Sequence, residues 1–389
     1  RHADTQELWT KLASDEHRQI NDDTMTYLNE LKNACRKRRK VLYFEEDYEP
    51  EPTVQDMLRN LGCFDICLNL MKMVPQLENN MGEPTRNLRT LLIKCNELLY
   101  WFLRHNKTNQ TLAYEHLKFF VNAVDSRIDS HKVIQGLFEE NLYLMKLCPK
   151  IYISEFVSKI LNNGRFPEYL SLLSSVTAAT EDSVLANQYE IVRLLSSPEN
   201  AKRVTMYFCS PEHPEYAKKV KLMALYMNKR DVSVEEVAPD LAYHLELMKA
   251  LTGCTVGRKN ITTVEAKVQS LFHFVDVVEG IIDPQVLLLA KVRLALFFYN
   301  AMIDVEMKLP ALKDAACVWR LLDSFQDVFL HAKDELRQIE KNGWDAPSTV
   351  RQKVEYMMIC VMIVEGYFTI YYDTTIYRQD ILPTHVKRV

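Results

Sequence analysis

Cys63 and Cys67 stand four residues apart, which places both thiols on one face of a helix, where they could share a metal. A structural zinc site takes four ligands, and only Cys95 lies at all near in sequence. Small thiols on an apolar stripe account for the pair. The run Gly253-Cys254-Thr255-Val256-Gly257-Arg258-Lys259 superficially resembles a phosphate loop. Its spacing is wrong, no Ser or Thr follows Lys259, and it follows a helical pattern rather than a strand. It reads as a helix stop and a turn.

The adjacent acids Glu139-Glu140 and Glu235-Glu236 project to different sides of a helix and cannot flank one substrate. The ten His are dispersed, with no His-Glu-x-x-His pattern and no nucleophile elbow. The sequence thus supplies no catalytic, cofactor-binding or metal-ligating set, and the chain reads as a protein that is not an enzyme.

Two basic runs raise the question of an acidic partner. Arg36-Lys37-Arg38-Arg39-Lys40 is followed by Glu45, Glu46, Asp47, Glu49 and Glu51, with Pro50 and Pro52. Compensated charge is a poor attractor, so this reads as a solvated connection beside its own acidic loop. Lys218, Lys219, Lys221, Lys229 and Arg230 read as the wet face of a helix. The net charge of -4 gives no reason to propose nucleic acid. Nine scattered Cys read as reduced thiols. The chain starts at Arg1 rather than Met, as a piece of a longer protein would, and shows no signal peptide.

The elements that must carry these residues are helices. Only 9 Gly occur in 389 residues, which weighs against the Gly-consuming turns of α/β and all-β folds. Leu88, Leu91, Leu92, Cys95, Leu98, Leu99, Phe102 and Leu103 recur at helical spacing, with Arg89, Lys94, Asn96, Glu97 and Arg104 on the other face. Ala315, Val318, Trp319, Leu322, Phe325, Phe329, Ala332, Leu336 and Ile339 form a second stripe, with Gly343 as its stop. Asp240 to Leu251 is a helix stopped at Gly253, and Asp283-Pro284 reads as the N-cap and first turn of a helix apolar on nearly all sides.

Two apolar stretches need a membrane check. Residues 284–303 carry Lys291 and Arg293, each costing about 2.5–3.5 kcal/mol at a bilayer centre. Residues 356–372 are short and carry Glu365 and Gly366. Both read as helices buried in protein.

Wet-faced helices alternating with buried ones predict an all-α, irregular armadillo/HEAT-like α-solenoid of stacked hairpins, without a crisp internal repeat. N-terminal helices with a charged loop at 36–52 would occupy residues 1–52, and the solenoid residues 53–389.

Five ordered segments carry a resemblance. They are MLRNLGCFDICLNL at 57–70, NKTNQTLAYEHLKFFV at 106–121, NGRFPEYLSLL at 163–173, YHLELMKALTGCTVGRKNITT at 243–263 and NAMIDVEMK at 300–308. In order and spacing, over roughly 50–340, they resemble the homology domain shared by ryanodine and inositol trisphosphate receptors. The Tyr243-His244 and Val305-Glu306-Met307-Lys308 pieces are similar to the inositol trisphosphate branch. Val256 stands where that family has an acid, and Phe272-His273-Phe274 where it has Leu-Pro-Leu, so the chain resembles a divergent member.

The resemblance implies a cytosolic coupling and regulatory solenoid of a ligand-gated calcium-release channel, at the endoplasmic reticulum or a similar store membrane. It would work beside other domains of the same channel, neighbouring subunits of a tetramer and regulatory proteins. It implies no ligand or ion site, no cofactor and no membrane insertion of this segment. A free-standing helical-repeat adaptor is the alternative.

Overall fold

The computed structural model describes residues 18–38, 48–75, 83–179, 182–205, 238–257, 262–313, 315–342 and 348–372. Arg39, Lys40, Glu45, Glu46, Asp47, the basic cluster from Lys218 to Arg230, Glu235-Glu236, Arg258, Lys259 and Gly343 lie outside the described residues. The described chain is all-α apart from one short hairpin and the isolated bridge Ala178–Ser183.

The helices are α1 (Arg18–Ala34), α2 (Pro52–Asn60), α3 (Cys63–Met71), α4 (Glu83–Leu103), α5 (Lys107–Tyr114), α6 (Leu117–Ala123), α7 (Ser130–Phe138), α8 (Leu142–Leu147) and α9 (Lys150–Asn163). There follow α10 (Pro167–Ser175), α11 (Leu185–Leu195), α12 (Pro198–Val204), α13 (Pro239–Thr255), α14 (Thr262–Leu271), α15 (Phe274–Ile282), α16 (Leu288–Phe298), α17 (Ala316–Asn342) and α18 (Ser348–Ile370). They form two compact units, and the boundary falls within α9, between Tyr152 and Ile153, with Ala179 belonging to the first.

In the first unit the expected stripe of α4 is the core: all eight of its residues, from Leu88 to Leu103, are buried. Helices α1, α3 and α7 pack on it. Each buried Leu or Phe adds about 1.5–3 kcal/mol, so α4 is the element this unit is least able to lose. The opposite face is not uniformly wet. Asn96 and Arg104, expected there, are buried. The Asn96 amide donates to the Ile128 carbonyl, and Arg104 meets Glu139, so each has a partner far along the chain.

The basic run enters a strand. Arg36–Arg38 (β1) pairs antiparallel with Tyr48–Pro50 (β2), with Lys37 opposite Glu49. The Lys37 ammonium lies 3.2 Å from Glu51, and the Arg36 guanidinium stacks 4.3 Å from the Tyr48 ring centroid. Within the described part of the run, Lys37 is thus paired with its own acidic neighbours Glu49 and Glu51.

In the second unit α10 packs on α13, and α16 lies among α13, α15 and α18. No residue of α16 is exposed, which is why its sequence is apolar on nearly all sides. Asp283 and Pro284 do not start this helix. The Asp283 carboxylate accepts the Gln285 N–H at 2.8 Å and closes a turn, and α16 begins only at Leu288. Gly253 does not stop α13, which runs on to Thr255. The stripe of α17 is buried at Val318, Trp319, Leu322 and Phe325, but Leu336 is exposed. No helix among the described residues is long and apolar enough to cross a membrane.

Candidate functional site

The chemistry at the candidate site is that of buried amides holding helix ends. The last four carbonyls of a helix have no partner within it and must be satisfied when the end is buried. In the first unit this falls to Asn109 and Gln110, the third and fourth residues of α5. Asn106 caps that helix, accepting the Asn109 N–H at 3.1 Å. The Asn109 side chain then donates to the Phe102 carbonyl of α4 at 2.8 Å. The Gln110 side chain donates twice to the end of α7, to Gly136 at 2.9 Å and to Glu139 at 2.8 Å. Its own oxygen accepts from the Asn141 side chain at 2.9 Å, and Asn141 caps α8. Gln55 of α2 closes the set by donating to the Trp101 and Arg104 carbonyls.

An ion pair sits beside these amides. Arg104, 1% exposed, donates through Nε and Nη2 to the two oxygens of Glu139, both at 2.6 Å. The guanidinium also lies 4.7 Å from the Trp101 ring centroid. Burial would raise the Glu139 carboxyl, but the hydrogen bonds and charges of His105 and Arg104 outweigh it and hold it down to about 2. His105 and Glu140 take left-handed backbone (φ 56° and 54°), at the turns that follow α4 and α7. Glu139 and Glu140 thus stand past the end of α7 rather than within a helix.

The second unit repeats the amide device. Asn187 and Gln188 are again the third and fourth residues of their helix, α11. Asn187 donates to the Val176 carbonyl, at the end of α10, at 3.1 Å. Gln188 donates to Gly253 at 3.0 Å and Val256 at 2.8 Å. In both units the accepting carbonyls belong to the third-last residue of a helix and the residue just past its end. Both third-last residues are glycines at a close approach. A Cβ on Gly136 would stand 2.9 Å from the Tyr100 carbonyl oxygen, and one on Gly253 2.6 Å from the Thr177 hydroxyl. Among the described residues, the clamp helix in each unit lies between the two helices it binds in chain order, α5 between α4 and α7 and α11 between α10 and α13. Asn-Gln occurs only at these two places in the chain, and that dipeptide is the one sequence signal of the repeat.

Other side chains also hold backbone groups of distant segments. Arg165 donates to the Arg203 and Thr205 carbonyls at the end of α12, at 2.8 and 3.2 Å. The buried Glu265 carboxylate accepts the Glu306 and Met307 N–H groups, both at 3.0 Å. The expected thiol pair behaves differently. Cys63 and Cys67 are buried on one face of α3, and Cys67 exchanges hydrogen bonds with Cys63 and Cys95. The hydrogen bond with Cys67, then burial, pushes the Cys63 thiol up, so these groups are packed as neutral thiols. No group of three or more His, Cys, Asp or Glu placed to hold a metal occurs among the described residues.

The clamp residues of the first unit, with Arg165, Asn187 and Gln188, lie in a stretch that comparison with known proteins recognises. Residues 18–201 match the family model of the RIH domain, the region of homology between ryanodine and inositol trisphosphate receptors. Residues 18–201 carry a divergent form of that domain. Three of the five resembling segments fall inside the matched RIH stretch, and those at 243–263 and 300–308 lie beyond it. Over 246 residues, 61% of this chain, it is 21% identical to the inositol 1,4,5-trisphosphate receptor itr-1 of Caenorhabditis elegans. Over 204 residues, 51% of this chain, it is 22% identical to the vacuolar proton translocating ATPase 100 kDa subunit of Dictyostelium discoideum. The matches cover 8% of the worm receptor and 24% of the ATPase subunit.

Proposed function

We propose that this chain is a cytosolic regulatory segment of an inositol trisphosphate receptor-like calcium-release channel, and that it transmits ligand-driven displacement toward the pore. The observation that carries the reading is the RIH match over 18–201, whose polar residues serve as helix-end clamps rather than as a site for chemistry. A displacement passes along a helical array only if each helix end is fixed to the next element, because such arrays contact mainly their sequence neighbours. Amide clamps with two carbonyls apiece do that.

On this reading the segment is not an enzyme and binds no inositol phosphate itself. It lies at the face of the endoplasmic reticulum or a similar store, within a tetrameric channel, against other domains of the same channel and of its neighbours. The transcript tests the setting. Paired trefoil domains encoded upstream and a six-helix pore downstream are expected, whereas a transcript encoding these helices alone would leave a free-standing adaptor.

A further inference from the structure

Two stretches of the first unit expose large apolar side chains, and each lies beside charge of one sign. At the α2–α3 turn, Met57, Leu61 and Ile66 each leave half or more of their surface exposed. The Leu61 N–H donates to the Met57 carbonyl, and Gly62 turns the chain in left-handed backbone (φ 74°). Asp56 adjoins Met57 and Asp65 adjoins Ile66, and both acids are exposed. Asp56 already binds Arg59 and Asn106, whereas Asp65 has no ion-pair partner among the described residues. Lys72, at the far end of α3, is bound to Asn69.

At the α8–α9 junction, Tyr143 and Ile151 are about seven-tenths exposed and Leu147 nearly half. Tyr114 ties the junction down by donating its hydroxyl to the Leu147 carbonyl at 2.8 Å. Lys146 adjoins Leu147 and Lys150 adjoins Ile151. Both lysines are exposed, and neither has an ion-pair partner among the described residues. The acids nearest in sequence are taken, Glu139 by Arg104 and Glu155 by Lys159, and Glu140 is not free either.

Single exposed apolar side chains need no explanation, but a cluster of them rimmed by charge marks a place of contact. These two clusters complement each other, apolar against apolar and carboxylate against ammonium. Both are exposed in one and the same chain, so they do not cover each other within it. A second copy supplies the complement to each.

We propose that copies of this chain associate by seating the α2–α3 turn of one on the α8–α9 junction of another, with Asp56 and Asp65 facing Lys146 and Lys150. The proposal names a contact that the channel reading leaves open, and it does not depend on that reading.

The test is sedimentation velocity on the whole chain. Three apolar side chains on each side and two ion pairs make a small contact, so association is expected over about 10–100 μM rather than at nanomolar concentration. Lys146→Glu together with Lys150→Glu, or Asp65→Lys alone, should weaken it about tenfold or more with helix content unchanged. An equimolar mixture of those two variants should associate again, because the facing charges are then opposite with their signs exchanged. Ile151→Ser should weaken association, whereas Leu336→Ser, exposed but outside both clusters, should not. A chain that stays monomeric at about 100 μM, association that survives both charge reversals, or a mixture that fails to associate would overturn the proposal. So would a monomeric chain that binds phosphatidylserine vesicles and loses them on Lys146→Glu with Lys150→Glu, which would give these lysines to a membrane surface.

Discussion

Gln110 and Gln188 occupy the same position in two helices 78 residues apart, and each donates to the carbonyls of a helix's third-last residue and the residue past its end. Their neighbours Asn109 and Asn187 bind the end of the helix before. The same clamp, one helix holding the ends of two others, thus recurs in both units.

Removing a clamp leaves buried carbonyls unsatisfied, each at a cost of about 1–3 kcal/mol. Gln110→Ala and Gln188→Ala should each lower stability by about 2 kcal/mol or more in urea unfolding. Gln110→Ala should cost more, because it also strands the Asn141 side chain. A change under about 0.5 kcal/mol, the range of an ordinary surface substitution, would show that the clamp is dispensable.

Gly136→Ala tests the close approach beneath the clamp. Alanine favours a helix by about 1 kcal/mol over glycine. Here its Cβ would press on the Tyr100 backbone oxygen, which cannot rotate away. Overpacking of this kind costs about 1–3 kcal/mol, so a net loss is expected on thermal melting. A gain in melting temperature would mean that α4 and α7 separate freely.

Much of this architecture was legible. The stripe of α4 follows from a single local period, and all eight residues are buried as read. The clamps were not legible because their partners are remote. Gln188 meets carbonyls 65 and 68 residues away, and Arg104 meets Glu139 35 residues away. Gly253 departs from its expected role for the same reason. A glycine near the end of an apolar run looks like a stop, and only the Thr177 hydroxyl shows that this one is there to let two segments approach. Asp283-Pro284 misled differently, since Asp before Pro serves a turn as well as a cap.

The Glu139 carboxyl gives a pH signature. Its folded value, about 2, lies below the unfolded value near 4.3. The stability it contributes is therefore fully present above about pH 4.5 and is lost as pH falls toward 2, up to about 3 kcal/mol. Urea midpoints should fall more steeply between about pH 4.5 and 2, the window set by those two values, for the native chain than for Glu139→Gln. Parallel profiles would mean that the Arg104 pair is open in solution.

Two leucines separate a buried stripe from a wet one. Leu99 is fully buried and Leu336 is 46% exposed. Leu99→Asp buries an unpaired carboxylate and should cost several kcal/mol, as should Phe325→Asp, whereas Leu336→Asp should stay within about 1 kcal/mol. Equal melting temperatures for Leu99→Asp and Leu336→Asp would deny α4 its place in the core.

The coupling role is tested most directly by paired measurements on one assembled channel carrying Gln110→Ala together with Gln188→Ala. Inositol trisphosphate binding and ligand-evoked calcium release are measured on the same preparation, with the loosened helix ends of α7 and α13 verified by hydrogen exchange. Linked sites usually share about 1–3 kcal/mol of coupling, so its loss should reduce release several-fold. The account predicts binding close to that of the native channel and suppressed release. Native-level release from a channel whose clamps are demonstrably open would make this segment a passive spacer and contradict the account.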